Sequence, residues 1–175
     1  MGRKLAVIGP TCSGKSTLAG RLAEHYGVPH VELDAFHWGP NWTEADPDEF
    51  RRQVEAAMPD SGWVVDGNYN SKLGDLVIGQ ADLVVWLDPP LRTILPRLWT
   101  RTLRRIRDQD DLWGGNRETW RGAFLSRDSL FIWALKTHRR RRRTAPAMLE
   151  HVPSVRLRTA RGADAWLAQT LADGP

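Results

Sequence analysis

The chain has 175 residues, 41% of them hydrophobic, a formal net charge of +4 and a pI near 9.7, which suits a single domain with a sizeable core. Its longest apolar stretch, residues 81–87, is broken by Asp82 and stopped by Asp88, well short of the ~18 residues that span a membrane, so no membrane partner is expected. The one cysteine, Cys12, has no partner for an internal disulfide, and the N-terminus enters a strand pattern with no room for a signal peptide; both features point to the cytoplasm.

Residues 4–8, Lys-Leu-Ala-Val-Ile, read as a short buried strand. They run into Gly9, Pro10, Thr11, Cys12, Ser13, Gly14, Lys15, Ser16 and Thr17, a complete G-x-x-x-x-G-K-[ST] phosphate-binding loop. The two glycines let the backbone turn its N–H groups toward phosphate oxygens. Lys15 is placed to reach the β- and γ-phosphates of ATP, and the Ser16 hydroxyl to meet Mg²⁺. Leu18, Ala19, Leu22 and Ala23 recur at helical spacing over residues 16–26, so the helix N-terminus faces the bound anion. Cys12 reads either as a small filler between the glycines or as a thiol activated by Lys15 and the loop dipoles.

Residues 28–33 form a second strand pattern ending at Asp34, and a loop rich in Trp and Pro follows over 36–42. Asp34 suits a base, a magnesium contact or an acceptor-binding group, or else a turn or cap. Trp38 and Trp42 suit stacking on an acceptor, or hydrophobic cover. Asp46-Pro47 opens a helix to about residue 58. Residues 62–65 form a strand ending at Asp66-Gly67, with Asn68 and Tyr69 beyond it. This segment is either a tight turn or an active-site edge carrying acceptor contacts. Residues 83–87 form the next strand, closed by Asp88, a candidate helix cap or metal contact.

A helix over 91–106 follows, with Pro96 in its early turns or kinking it. Its arginines 97, 101, 104 and 105 give one broad basic face. Such faces are commonly solvated, yet phosphoryl transfer needs cations on the moving group, which singles out Arg101 and Arg105. Residues 108–120 read as a loop or small lid around Gly114-Gly115-Asn116. Residues 129–143 form an apolar-then-basic helix whose end, from Lys136 to Arg143, reads as a solvated face. A last strand over 154–158 and a helix over 162–171 close the chain. Alternating strands and helices imply an α/β parallel sheet covered on both faces, a P-loop NTPase, with ligands beyond the C-terminal strand ends.

The loop, Leu33-Asp34, the run Trp63-Val64-Val65-Asp66-Gly67-Asn68-Tyr69, Val85-Trp86-Leu87-Asp88-Pro89, and Leu112-Trp113-Gly114-Gly115-Asn116-Arg117-Glu118 resemble the adenylate-kinase-related P-loop kinases known as DNA topology modulation proteins. The resemblance covers nearly the whole chain. It implies a nucleoside-monophosphate-kinase-like domain over 1–175, an acceptor-binding insertion over 35–62, and an arginine-bearing lid over 106–128 that includes Arg117. Arg97 and Arg101 match the pair that such kinases direct at the adenine and phosphates of ATP. The arginine that in adenylate kinases follows Asp-Gly and grips an acceptor phosphate is absent, since residues 68–71 are Asn, Tyr, Asn and Ser. The expected function is transfer of the ATP γ-phosphoryl group to a nucleoside, nucleotide or other hydroxyl-bearing small molecule. The alternative is an ATP-binding, nucleic-acid-associated protein affecting DNA topology. A GTPase is disfavoured because no Asn-Lys-x-Asp guanine motif occurs.

Overall fold

The computed structural model describes residues 3–125 and 129–172, so residues 126–128 of the expected lid lie outside the described residues. Five strands, β1 (Lys4–Ile8), β2 (His30–Glu32), β3 (Trp63–Asp66), β4 (Leu83–Leu87) and β5 (Ser154–Leu157), form one parallel sheet in the order β2-β3-β1-β4-β5. β1, β3 and β4 read as continuous apolar runs because helices cover both faces of the sheet.

On one face α1 (Lys15–Tyr26) and α7 (Ala160–Ala172) lay Leu18, Leu22 and Leu167 on Leu5, Val7, Val64 and Val85. The opposite face, with Ala6, Ile8, Val65 and Trp86, takes Phe50 and Val54 of α3 (Pro47–Ala56) and Leu73 of the one-turn helix α4 (Asn70–Leu73). Ala145 and Leu149, at the end of the long helix α6 (Leu130–Met148), complete that side. Asp46 caps α3 by accepting from the Asp48 and Glu49 N–H groups at 3.0 Å each. No helix among the described residues is long and apolar enough to cross a membrane.

The second strand is shorter than its pattern suggests. β2 stops at Glu32, and a five-residue helix, α2 (Leu33–His37), begins where the strand was expected to continue. The cause is Leu33. Its side chain is buried against Gly67, where a Cβ would lie 2.7 Å from the Leu33 Cβ, so the chain turns inward at once. Asp34 therefore sits in the first turn of α2 and not at a strand end. Helix α5 (Leu91–Asp108) continues through Pro96.

Asp88 serves neither as a cap nor as an open metal contact. The N-cap of α5 is Pro90, without a side-chain bond, and Asp88 is 2% exposed. Arg142 of α6 donates to it through Nε at 2.7 Å, and Arg156 of β5 through Nε and Nη2 at 3.0 and 2.6 Å. The Arg156 guanidinium also lies 4.0 Å from the Trp86 ring centroid. This carboxylate thus ties the last strand and the last long helix to the sheet. We expect Asp88→Ala to destabilise the fold by about 2–3 kcal/mol, less than the ~3–5 of a fully buried pair because both arginines keep about a third of their surface in water. A urea midpoint unchanged from wild type at equal m-value would remove that role.

Candidate active site

The phosphate loop leaves β1 pressed against the end of β4. Gly9 adopts φ +154°, and a Cβ there would lie 2.5 Å from the Leu87 carbonyl oxygen. Asn68 holds the same residue from the other side. Its Oδ1 accepts from the Gly9 N–H at 3.0 Å, and its Nδ2 donates to the Gly9 carbonyl at 2.5 Å. Expected to contact the acceptor, Asn68 is instead committed at both ends of its amide to the loop. Gly14, at φ +96°, is the N-cap of α1, which leaves the first N–H groups of a three-turn helix at the loop.

Lys15 lies over the loop, its Nζ donating to the Pro10 carbonyl at 3.2 Å. Burial pulls its ammonium below the usual lysine range, against the carboxylates of Asp66 and Asp34, which favour the charge; Arg141 and Arg101 add to the lowering. These groups from β3, α2, α5 and α6 therefore share one electrostatic site at the C-terminal ends of the strands. Asp66 belongs to its floor. It is 2% exposed and 3.0 Å from His30 Nε2, a bond that is the main cause raising the His30 pKa. The expectation that Asp66 binds the acceptor directly is corrected by that burial.

Asp34 is the half-buried carboxylate beside this floor. The Tyr69 hydroxyl donates to its Oδ1 at 2.5 Å. Burial, then the Asp34 charge, holds the phenol protonated well above its usual range. An aromatic wall stands next to the pair: His37 packs on Tyr69 and Trp38 with ring centroids 4.6 and 4.7 Å away, and Trp38 meets Trp42 at 5.7 Å. The structure thus brings together Asp34, Tyr69, Trp38 and Trp42.

A further carboxylate, Glu32, lies beside the phosphate loop and was not singled out in the sequence. The Ser16 hydroxyl donates to its Oε1 at 3.3 Å, and the Trp113 indole to its Oε2 at 3.3 Å. The available signal was a second carboxylate two residues before Asp34, across the buried Leu33. A hydroxyl and one carboxylate fit Mg²⁺, which keeps most of its shell as water and phosphate oxygens. Among the described residues there is no group of three or more His, Cys, Asp or Glu side chains placed to hold a metal by themselves. Ser16 and Glu32 are therefore the residues that would hold the ion.

The arginines divide sharply. Arg101 reaches the loop, donating through Nη2 to the Thr11 hydroxyl at 3.1 Å. Burial lowers its pKa, and its Nε is buried without a partner among the described residues, as is the Ser13 hydroxyl. Arg97 is exposed and borders an open groove of about 400 Å³ with Pro96, Thr100, Arg101 and Arg104. It also borders a small cleft beside Ser13, Leu157 and Thr159.

Arg105, expected at the reacting phosphate, is paired with the buried Glu118 at 2.9 Å, which ties the segment expected as a lid to α5. Arg117, also expected there, is exposed and paired with Asp111 at 2.7 Å. A further half-buried arginine, Arg141, comes from α6. Burial pulls its pKa down to about 10, Arg140 adds to the fall, and the Asp34 charge opposes it. Its guanidinium lies 4.4 Å from the Trp133 ring centroid, and its Nη1 is buried without a partner among the described residues. The basic end of α6 is thus not simply a solvated face.

No protein-family model matches the chain. A cytidylate kinase of Pyrococcus horikoshii is 32% identical over 113 residues, 55% of this chain and 56% of that protein. The chain spans about half the length of the curated relatives it matches. Three solved structures are similar over nearly the whole chain. An unliganded sugar kinase from Janibacter sp. HTCC2649 has a TM-score of 0.57 at 17% identity, covering 98% of this chain and 94% of its own. A gluconokinase from Sinorhizobium meliloti 1021 gives 0.55 at 21%, covering 98% and 94%. The shikimate kinase of Acinetobacter baumannii, in complex with shikimate, gives 0.54 at 14%, covering 99% and 95%. The sheet order, the phosphate loop and these likenesses together give the chain the α/β P-loop NTPase fold in its kinase-like form.

Proposed function

We propose that the chain is a small-molecule kinase that moves the γ-phosphoryl group of ATP to a hydroxyl group of a small acceptor, a nucleoside or another metabolite. The observation that carries this reading is Asp34, a carboxylate coupled electrostatically to Lys15 and Arg141 and held by the Tyr69 hydroxyl. A tyrosine that fills Oδ1 leaves Oδ2 to accept the acceptor's proton. The acceptor oxygen then bonds to the γ-phosphorus as the bond to the bridging oxygen breaks, and ADP leaves with the electron pair. Lys15, Arg101 and Arg141 meet the charge on the equatorial oxygens. Magnesium bound at Ser16 and Glu32 would neutralise the β- and γ-phosphate oxygens.

One observation favours a second acceptor class. Arg141 places a cation beside Asp34, and the cytidylate kinase match suggests an acceptor that is itself a phosphate. An ADP-release assay with nucleosides, nucleoside monophosphates, sugar acids and simple polyols separates the two. The nucleic-acid reading is supported by no comparison. It requires binding that weakens steeply with salt, whereas ATP turnover at an enclosed site changes little.

For the arginines we expect Arg141→Ala to lower kcat by ~10–100-fold, with a smaller change in the KM for ATP, because its charge acts on the dissociating phosphoryl group. Arg117→Ala should stay within about threefold of wild type, in line with the small worth of an exposed pair. Single-turnover rates that fall for Arg117→Ala and hold for Arg141→Ala would reverse these assignments.

A further inference from the structure

Asn116 sits in the lid, 5% exposed, and none of the chemistry above uses it. Its side chain is nonetheless saturated, by two bonds to the other insertion and one within the lid. Oδ1 accepts from the Trp42 N–H at 2.9 Å, and Nδ2 donates to the Gly39 carbonyl at 2.8 Å and to the Trp113 carbonyl at 2.6 Å. The tip of the lid, the 3-10 turn Trp113–Gly115, packs on the tip of the acceptor loop, the 3-10 turn Pro40–Trp42. The approach is close enough to need a glycine. Gly114 has φ +68°, and a Cβ on it would lie 2.6 Å from the Gly39 carbonyl carbon.

The acceptor loop is also strained where Asn116 holds it. Asn41 and Trp42 have φ +57° and +56°, a left-handed pair that persists only where the surroundings impose it. The lid in turn is fastened to the donor side twice. The Trp113 indole donates to Glu32, beside Ser16, and the buried Glu118 pairs with Arg105 of α5. One turn earlier on α5, Arg101 bonds Thr11 of the phosphate loop.

We infer that Asn116 is a positioning residue that fastens the lid to the acceptor loop, so that the two insertions move as one part and nucleotide binding orders the acceptor loop. The lid is unable to lift from the acceptor loop without giving up the two Asn116 bonds that cross to it, from the strained Trp42 backbone and to the closely packed Gly39 carbonyl. Bound nucleotide holds α5 and Glu32, these hold the lid, and Asn116 passes that order to residues 39–43. The second half of this inference rests on the phosphotransferase reading, whereas the fastening itself does not.

Amide hydrogen exchange tests both halves on the full chain. Without nucleotide, the Trp42 amide should exchange at least ~10-fold faster in Asn116→Ala than in wild type, the opening expected from losing one or two hydrogen bonds. Gly114→Ala, which wedges the two turns apart and leaves Asn116 in place, should do the same. Amides of β1 and β4 unchanged in both variants certify the fold. An unchanged Trp42 rate in both variants overturns the fastening.

With AMP-PNP and Mg²⁺, wild type should show slower exchange at residues 9–17 and also at 39–43. Asn116→Ala should keep the first protection and lose the second. Protection at 9–17 without any at 39–43 in wild type, or equal protection at 39–43 in the variant, overturns the coupling. No protection at 9–17 counts against the kinase reading, and the nucleotide-free comparison still decides the fastening.

Discussion

Lys15→Ala is expected to lose phosphoryl transfer by at least ~10²–10³-fold, the scale of removing one preorganised charge contact from a developing oxyanion. Its fold should survive. Among the described residues the ammonium makes a single bond, to the Pro10 carbonyl, and burial acts against its charge in the free protein. Removing it therefore relieves a desolvation cost, and the melting temperature should stay level or rise, as at other sites where activity is held against stability. Asp66 keeps its partner in His30, so the floor of the site is not left unpaired. The measurement is ATP turnover with the best acceptor from the ADP-release assay, alongside a thermal melt. A folded Lys15→Ala variant that keeps near-normal turnover would overturn the kinase reading.

The donor loop was legible because its chemistry is local. Gly9, Gly14, Lys15 and Ser16 lie within one strand–loop–helix unit, and the apolar run before them and helical spacing after them agree with it. The central strands were legible for the same reason, since burial on both faces writes itself as an uninterrupted apolar run. What failed depended on contacts distant in sequence. Asp88 looked like a cap until Arg142 and Arg156 were seen to close on it from α6 and β5.

The run Arg139–Arg143 illustrates the limit well. Five like residues carry no pattern that says which one faces in, yet neighbours on a helix point about 100° apart. Packing of α6 sends Arg142 to Asp88 and turns Arg141 inward, its guanidinium 4.4 Å from the Trp133 ring and its charge felt by Lys15. The pairing of Arg105 and Arg117 was hidden for a similar reason. Each has a carboxylate within reach, Glu118 or Asp111, and an arginine already satisfied has less to offer a phosphate. Glu32 was missed because the turn into α2 at Leu33 is set by packing against Gly67, and this turn places both carboxylates at the same mouth.

Asp34→Asn separates the two acceptor classes. A phosphate acceptor is already an anion at neutral pH and needs no base, whereas a hydroxyl must give up its proton as the new bond forms. The amide is close to isosteric with the carboxylate, and its oxygen can still accept from the Tyr69 hydroxyl, so the local packing should hold. The amide oxygen remains an acceptor, but it is far too weak a base to take the proton. For a hydroxyl acceptor we therefore expect a fall in kcat of at least ~100-fold, the low end of general-base effects, with the dissociation constant for AMP-PNP within about threefold of wild type. Tyr69→Phe tests positioning apart from basicity. It leaves the carboxylate intact but frees its rotation, so a smaller loss, roughly tenfold, is expected for one lost hydrogen bond of charged character. If the best acceptor proves to be a nucleoside monophosphate and Asp34→Asn keeps most of its rate on it, Asp34 is not a base. Arg141 beside it then becomes the group that grips the acceptor phosphate.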